Sequence, residues 1–85
     1  MNLDRLKDVV FVPGMTGREE MIRAKIIEMI PEGVEASIDD LGNVIVEVGS
    51  GDTIIAFAAH MDEIGLLVTG VNDDGTLNFK KIGGI

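Results

Sequence analysis

The sequence contains no cysteine, tryptophan or tyrosine, and only one histidine, two prolines and three phenylalanines among 85 residues. Without cysteine the chain can form neither disulfides nor thiolate metal sites, and it lacks a cysteine nucleophile. Basic residues are also few, with 7 lysines and arginines against 15 acidic residues. Phosphate binding depends on basic side chains, so this balance argues against nucleic acid as a partner. Any zinc here would need histidine and carboxylate ligands.

The amino terminus shows no secretory leader, because Asn2, Asp4 and Arg5 stand where a leader would have its apolar segment. No apolar run approaches the length that crosses a bilayer. The acidic side chains are scattered, which is typical of a soluble surface. We therefore expect a cytoplasmic protein with no membrane partner.

Apolar residues are abundant for so short a chain. They make up 46% of the sequence, and the mean hydropathy is +0.31. A chain of this length buries only about 60–65% of the surface that it exposes when unfolded. We therefore expect part of the apolar surface to be covered by further chain or by another subunit.

Two amphipathic helices are predicted in the first third of the sequence. Asn2 is suited to cap the first, whose apolar side chains recur at positions 3, 6, 9 and 10 before Pro13 stops it. Thr16 and Glu19 have the spacing of a capping box for the second, which should end at Pro31.

From residue 34 onward the pattern predicts about five strands separated by glycine-containing turns. They span residues 34–38, 43–48, 54–59, 66–71 and 76–82. The fold class is therefore α/β, with two helices followed by a mainly antiparallel run of strands.

The third predicted strand, residues 54–59, is apolar at every position. A strand without polar alternation is usually buried on both faces inside a sheet, and two short helices cannot cover both faces. We expect it to be part of a larger α/β domain. Where such a strand ends in polar residues, open α/β sheets place their sites.

That strand ends at His60, the only histidine, with Asp62 and Glu63 close behind. Side chains two apart in extended chain point the same way, so Asp62 should lie beside His60 and Glu63 should point elsewhere. A neutral imidazole can bind a divalent metal, and Asp62 could either bridge to that metal or fix the imidazole tautomer. One histidine cannot complete a histidine-rich zinc site, so most ligands would have to come from beyond Ile85.

His60 has an alternative reading as a hydrogen-bonded structural residue, because a single His-x-Asp pattern is common. Three further segments are better explained as turns or loops than as ion sites. The turn at residues 72–75 lacks the spaced ligands of a calcium loop, residues 49–51 lack the lysine of a phosphate loop, and Asp39 and Asp40 fit a solvated turn.

Five segments together resemble the amino-terminal part of the tetrahedral (TET) aminopeptidases, a family that includes glutamyl and deblocking aminopeptidases, some of them labelled cellulase or endoglucanase. The segments are PGMTGRE at 13–19, DDLGNV at 39–44, AHMDEIGLLV at 59–68, GTL at 75–77 and IGG at 82–84.

The resemblance implies an enzyme with two divalent metals, zinc or cobalt, that removes amino-terminal residues from peptides inside a homo-oligomeric, tetrahedral dodecamer. It implies that His60 is a ligand to one metal and that Asp62 is the active-site residue that orients it. The other ligands and the general base of the family lie later than Ile85, so we expect this chain to be inactive alone.

The family pattern also suggests a domain division. Residues 1–75 would belong to the catalytic α/β domain, and residues 76–85 would form an edge strand that leads into a dimerisation domain. Two alternatives stay open: a non-catalytic binding or assembly module in which His60 is structural, and a related exopeptidase or deacylase that differs in substrate.

Overall fold

The computed structural model describes residues 2–85, which form two helices and two separate two-stranded sheets. The elements are α1 (Leu3–Val10), α2 (Glu20–Met29), β1 (Ala36–Ile38), β2 (Val44–Val46), β3 (Gly65–Val71) and β4 (Leu77–Ile82). Both strand pairs are antiparallel hairpins, with a register irregularity between Val68 and Gly70 in the second. The α/β class and the antiparallel pairing predicted from sequence are confirmed.

Local chemistry explains where α1 begins and how it meets α2. The Asn2 side chain accepts hydrogen bonds from the backbone amides of Asp4 and Arg5, which confirms the predicted cap. The Arg5 guanidinium donates to the Met29 carbonyl at 3.3 Å, where α2 leaves carbonyls without helical partners.

In the described residues, no helix is both long enough and apolar enough to span a bilayer.

The capping box predicted for α2 is wrong. The Glu19 side chain makes no cap hydrogen bond at the start of the helix, and it accepts from the Gly17 amide at 2.8 Å. The Thr16 hydroxyl lies elsewhere, on Asp62. A tertiary partner has taken the side chain that the local pattern assigned to the cap.

The prediction of five strands is also wrong, because residues 54–59 form no strand in the described part of the chain, which has four. The stretch is exposed, with Ile54 at 90% and Phe57 at 96% of their maximal accessibility. A strand exists only when neighbours accept and donate its backbone hydrogen bonds, and residues 2–85 supply none to this segment. The apolar composition predicted a strand here, but a strand also needs pairing partners, and composition does not show whether they are present.

The chain is extended and has little interior. Its accessible surface is 7447 Å², whereas a compact protein of 9.1 kDa exposes about 4,900 Å². The radius of gyration is 17.2 Å, compared with about 12 Å expected for a compact domain of this length. Among the described hydrophobic residues only Ile22 is buried, at 2% exposure. The predicted excess of apolar surface is therefore present on the molecule.

Candidate functional site

His60 lies at the end of the unpaired extended segment, with its ring held by Asp62. Its Nδ1 atom is 2.9 Å from the Asp62 backbone oxygen and 3.1 Å from the Asp62 Oδ1 atom. A carbonyl oxygen only accepts, so Nδ1 carries the proton in this arrangement. In the neutral ring the lone pair is then on Nε2, and the His60 side chain is 85% exposed. The predicted placement of Asp62 beside His60 agrees with this geometry.

Asp62 is itself held from the other side by the loop between the helices. The Thr16 hydroxyl donates to Asp62 Oδ2 at 2.7 Å, across 46 residues of sequence. This bond, followed by the hydrogen bond and the charge interaction with His60, lowers the pKa of the Asp62 carboxyl, while partial desolvation opposes the shift. Asp62 is therefore ionised at neutral pH and accepts from both neighbours.

Glu63 fastens the same loop to the end of the extended segment. Its amide donates to the Gly14 carbonyl at 2.8 Å, and its carbonyl accepts from the Thr16 amide at 3.1 Å. These bonds form a parallel bridge between Met15 and Glu63. The Glu63 side chain accepts from the Gly14 amide at 3.3 Å, so it points at the loop and away from the imidazole, as the alternation predicted.

A shallow cleft of about 170 Å³ opens beside His60. Its polar lining includes Glu19, Arg23 and Asn43 in addition to His60 and Asp62. Arg23 is fixed by a 2.8 Å hydrogen bond from Nε to the Gly42 carbonyl, and Gly42 has a φ of +88°. Sequence reasoning did not place Thr16, Glu19 or Arg23 at the site. Thr16 and Arg23 reach it through long-range hydrogen bonds to Asp62 and Gly42, and Glu19 lines the cleft beside them; none of these positions has a local signature.

The turns assigned from sequence are turns in the structure. Asp39 accepts from the Asn43 side chain, the Asn43 amide and the Leu41 amide, and these bonds lower the pKa of its carboxyl. Asp74 accepts from the amide and the hydroxyl of Thr76, with the same effect on its pKa. Both carboxylates accept hydrogen bonds from amides of their own turns, as in ordinary Asx turns.

The described residues hold no group of three or more histidine and acidic side chains that could surround a metal ion. The groups around His60 fit one part of a metal site: a single ligand and the residue that orients it. One imidazole nitrogen has an outward lone pair, and a carboxylate holds the opposite nitrogen, as is usual for metal-binding histidines. Within residues 2–85 a metal at His60 would thus have one well-oriented ligand.

Comparisons of the sequence and of the structure with known proteins point to the same family. The family model for M42 glutamyl aminopeptidases matches residues 42–85. The TET1 peptidase of Pyrococcus horikoshii, described as able to assemble into a tetrahedron or a large octahedral shell, is 49% identical. It superposes with a TM-score of 0.81 over 98% of this chain and 25% of that chain. The PhTET1-12s dodecamer, also 49% identical, gives 0.83 over 100% of this chain and 26% of that one.

The lysyl aminopeptidase of Pyrococcus furiosus is 37% identical over 82 residues, which cover 94% of this chain and 24% of the relative. This chain therefore spans about a quarter of the length of the proteins it matches. The family match covers more than half of the described residues, and the fold agrees with that of the TET peptidases at high identity. The chain belongs to the M42 family of aminopeptidases.

Proposed function

We propose that this chain is the amino-terminal portion of a metal-dependent aminopeptidase, in which His60 binds one of two divalent ions through Nε2. The observation that carries the proposal is the state of the imidazole. Nδ1 donates to Asp62, and Nε2 lies on an 85% exposed side chain with no hydrogen-bond partner among residues 2–85. A ring in this state is prepared for a ligand that needs a lone pair.

The chain's own residues would orient and hold the reaction centre. Asp62 fixes the tautomer and the direction of the His60 ring. Thr16 holds the Asp62 carboxylate, and the backbone bonds of Glu63 hold the loop that carries Thr16. When bound, the metal ions would supply Lewis acidity and a water of lowered pKa. The peptide substrate would approach from the side of the cleft, where Glu19, Arg23 and Asn43 lie. Zinc and cobalt are the ions we propose.

The alternative function, a binding or assembly module with a structural His60, is less well supported. A structural histidine usually has its ring packed or both nitrogens paired, whereas this ring is largely exposed. The named relatives are peptidases, which favours the catalytic proposal.

The assembly and location proposed for the longer protein follow the relatives and the surface. We propose a homo-oligomer of the dodecameric type, because the structural neighbours form such shells and because this chain exposes an unusually large apolar area. The division into catalytic residues 1–75 and an edge segment 76–85 leading to a dimerisation domain stays a prediction. So does the cytoplasmic location.

The test of this proposal compares two lengths of the protein. The sequence following Ile85 should contain a Glu-Glu pair and a second histidine, and the longer protein should hydrolyse aminoacyl anilides when supplied with zinc or cobalt. EDTA should abolish this turnover, and His60→Ala should reduce it at least about a hundredfold. The 85-residue chain alone should be inactive and should bind zinc no better than its His60→Ala variant. Robust turnover by the short chain would contradict the proposal.

A further inference from the structure

The loop before α2 contributes a hydroxyl to the site, at a position where the sequence pattern assigned it to a helix cap. Thr16 Oγ1 is 2.7 Å from Asp62 Oδ2, and it also lies 3.4 Å from the Glu63 carbonyl oxygen. The hydroxyl has one proton, and the shorter contact to a charged acceptor is the stronger bond. Thr16 therefore binds the oxygen of Asp62 that does not face the imidazole.

The two carboxylate oxygens of Asp62 contact different partners. Oδ2 accepts from Thr16, and Oδ1 lies 3.1 Å from His60 Nδ1, which is also 2.9 Å from the Asp62 backbone oxygen. A carboxylate held by one hydrogen bond can still rotate about its terminal torsion, which is broad and has no sharply staggered minima. A second donor on the opposite oxygen fixes the plane of the group, so Oδ1 stays directed at the ring.

We infer that Thr16 is a positioning residue for His60. Its hydroxyl fixes the Asp62 carboxylate so that Oδ1, together with the Asp62 backbone oxygen, keeps the imidazole proton on Nδ1 and the Nε2 lone pair directed outward. The inference rests on the proposed function for the use made of that lone pair, and on the geometry alone for the relay itself. Removing the partner that holds a metal-binding histidine typically changes metal affinity or activity by about 10–100-fold, and Thr16 acts on that partner, Asp62.

A purely structural role for the hydroxyl, as a fastener of the loop, is already filled by backbone groups. The Glu63 amide donates to the Gly14 carbonyl at 2.8 Å, and the Thr16 amide donates to the Glu63 carbonyl at 3.1 Å. These bonds persist whatever side chain stands at position 16. Removing the hydroxyl should therefore release the carboxylate while the loop remains in place.

The experiment uses nitrogen NMR on the 85-residue chain, without metal and at a mildly alkaline pH above which the ring-nitrogen signals no longer change. His60 is the only histidine, so the two ring-nitrogen signals need no assignment. In the unaltered chain the Nδ1–H tautomer should dominate. In Thr16→Val, which keeps the shape and removes the hydroxyl, the tautomer ratio should move about 2–10-fold toward Nε2–H, the net effect of one hydrogen bond.

Two variants serve as matched controls. Thr16→Ser retains the hydroxyl and should keep the original ratio. Thr69→Val makes the same chemical change on β3, nine residues after His60. An unchanged ratio in Thr16→Val overturns the inference. A shift of the same size in Thr16→Ser or Thr69→Val overturns it as well, because the hydroxyl of Thr16 would then not be the cause.

The amide signal of Glu63 in the same samples reports whether the loop stays attached. Detachment in Thr16→Val would also overturn the inference, because the hydroxyl would then hold the loop and not the ring. The measurement needs neither metal nor turnover. Failure of the proposed function would show separately, as a longer protein that hydrolyses no peptide bond.

Discussion

Gly14 lies so close to Ile22 that a methyl group on its Cα would stand 2.7 Å from the Ile22 Cγ2 atom. Ile22 is the most buried hydrophobic side chain of the described residues, and the Gly14 carbonyl accepts the hydrogen bond that fastens Glu63. The loop can reach the end of the extended segment only because Gly14 passes close to Ile22 of α2. Gly14 therefore contacts both the small core, at Ile22, and the candidate site, at Glu63.

Gly14→Ala should push this loop away from α2. The added methyl group cannot fit without moving Ile22 or the backbone, and overpacking of this kind typically costs about 1–3 kcal/mol. We expect weaker protection of the Glu63 amide in hydrogen exchange and a lower unfolding midpoint. Gly84→Ala is the matched control, since a methyl group there meets nothing within 4 Å and should change neither quantity. Equal effects in the two variants would disprove this account of the loop.

The 85-residue chain should self-associate through residues 54–59. The segment is extended, uncharged and free of proline, which is the composition that pairs edge to edge with a second copy. The chain exposes about 2,500 Å² more than a compact protein of its mass, well above the roughly 800 Å² per partner of a standard interface.

Phe57→Lys should weaken this association at least about tenfold, because the apolar contact of the most exposed aromatic ring is lost and a charge is introduced. Phe11→Lys makes the same change on a residue that is 80% exposed outside the segment, and it should have little effect. Sedimentation velocity over a concentration series gives the dissociation constants. A chain that stays monomeric at high concentration would rule the prediction out.

The β1–β2 hairpin should weaken in acid. Hydrogen bonds from Asn43, side chain first and backbone second, lower the pKa of Asp39 in the folded hairpin. A lowered folded pKa means that this contribution is fully present above the unfolded value of about 3.9 and is lost as the pH falls through the folded pKa. The Asn43 amide shift, followed from pH 6 to pH 2, should therefore report opening at the acidic end.

Asp39→Asn should remove most of this pH dependence, since the titrating acceptor is gone. Asp40→Asn, which alters the next carboxylate along the chain, should preserve it, because the hydrogen bonds of the turn go to Asp39. If the acid transition survives in Asp39→Asn, another group must control the hairpin.

In the longer protein, Asp62→Asn should lower zinc affinity about 10–100-fold, as measured by competition with a chromophoric chelator. The amide can no longer offer two equivalent charged oxygens to Thr16 and His60. Asp52→Asn, in the exposed loop before the extended segment, is the charge-matched control and should bind zinc normally. Equal loss in both variants would indicate a general charge effect.

Local signals in the sequence were sufficient to predict both helices, the two hairpins and the Asn2 cap. Each depends on residues within one element or one turn, so the pattern contains the necessary information. The neighbours His60 and Asp62 were found for the same reason: their spacing fixes which way they point. The prediction failed where distant residues decide, as with Thr16, whose hydroxyl binds Asp62 in place of the expected amide.

Residues 54–59 are a second case in which distant residues decide the structure. An unbroken apolar run indicates what environment a strand needs, but the environment itself is built by other parts of a protein. Two short helices and two hairpins do not provide it, and Ile54 and Phe57 remain exposed. The exposure follows from topology, which the composition of one segment does not contain.

That exposure has a consequence for biosynthesis. Relatives are about four times as long as this chain, so in the proposed longer protein the ribosome would need on the order of 10–60 s after Ile85 to finish, at about 5–20 residues per second. Once outside the ribosome, the apolar stretch would stay exposed on the nascent chain until later residues cover it. Exposed apolar segments of this kind bind chaperones or one another while a chain is still being made.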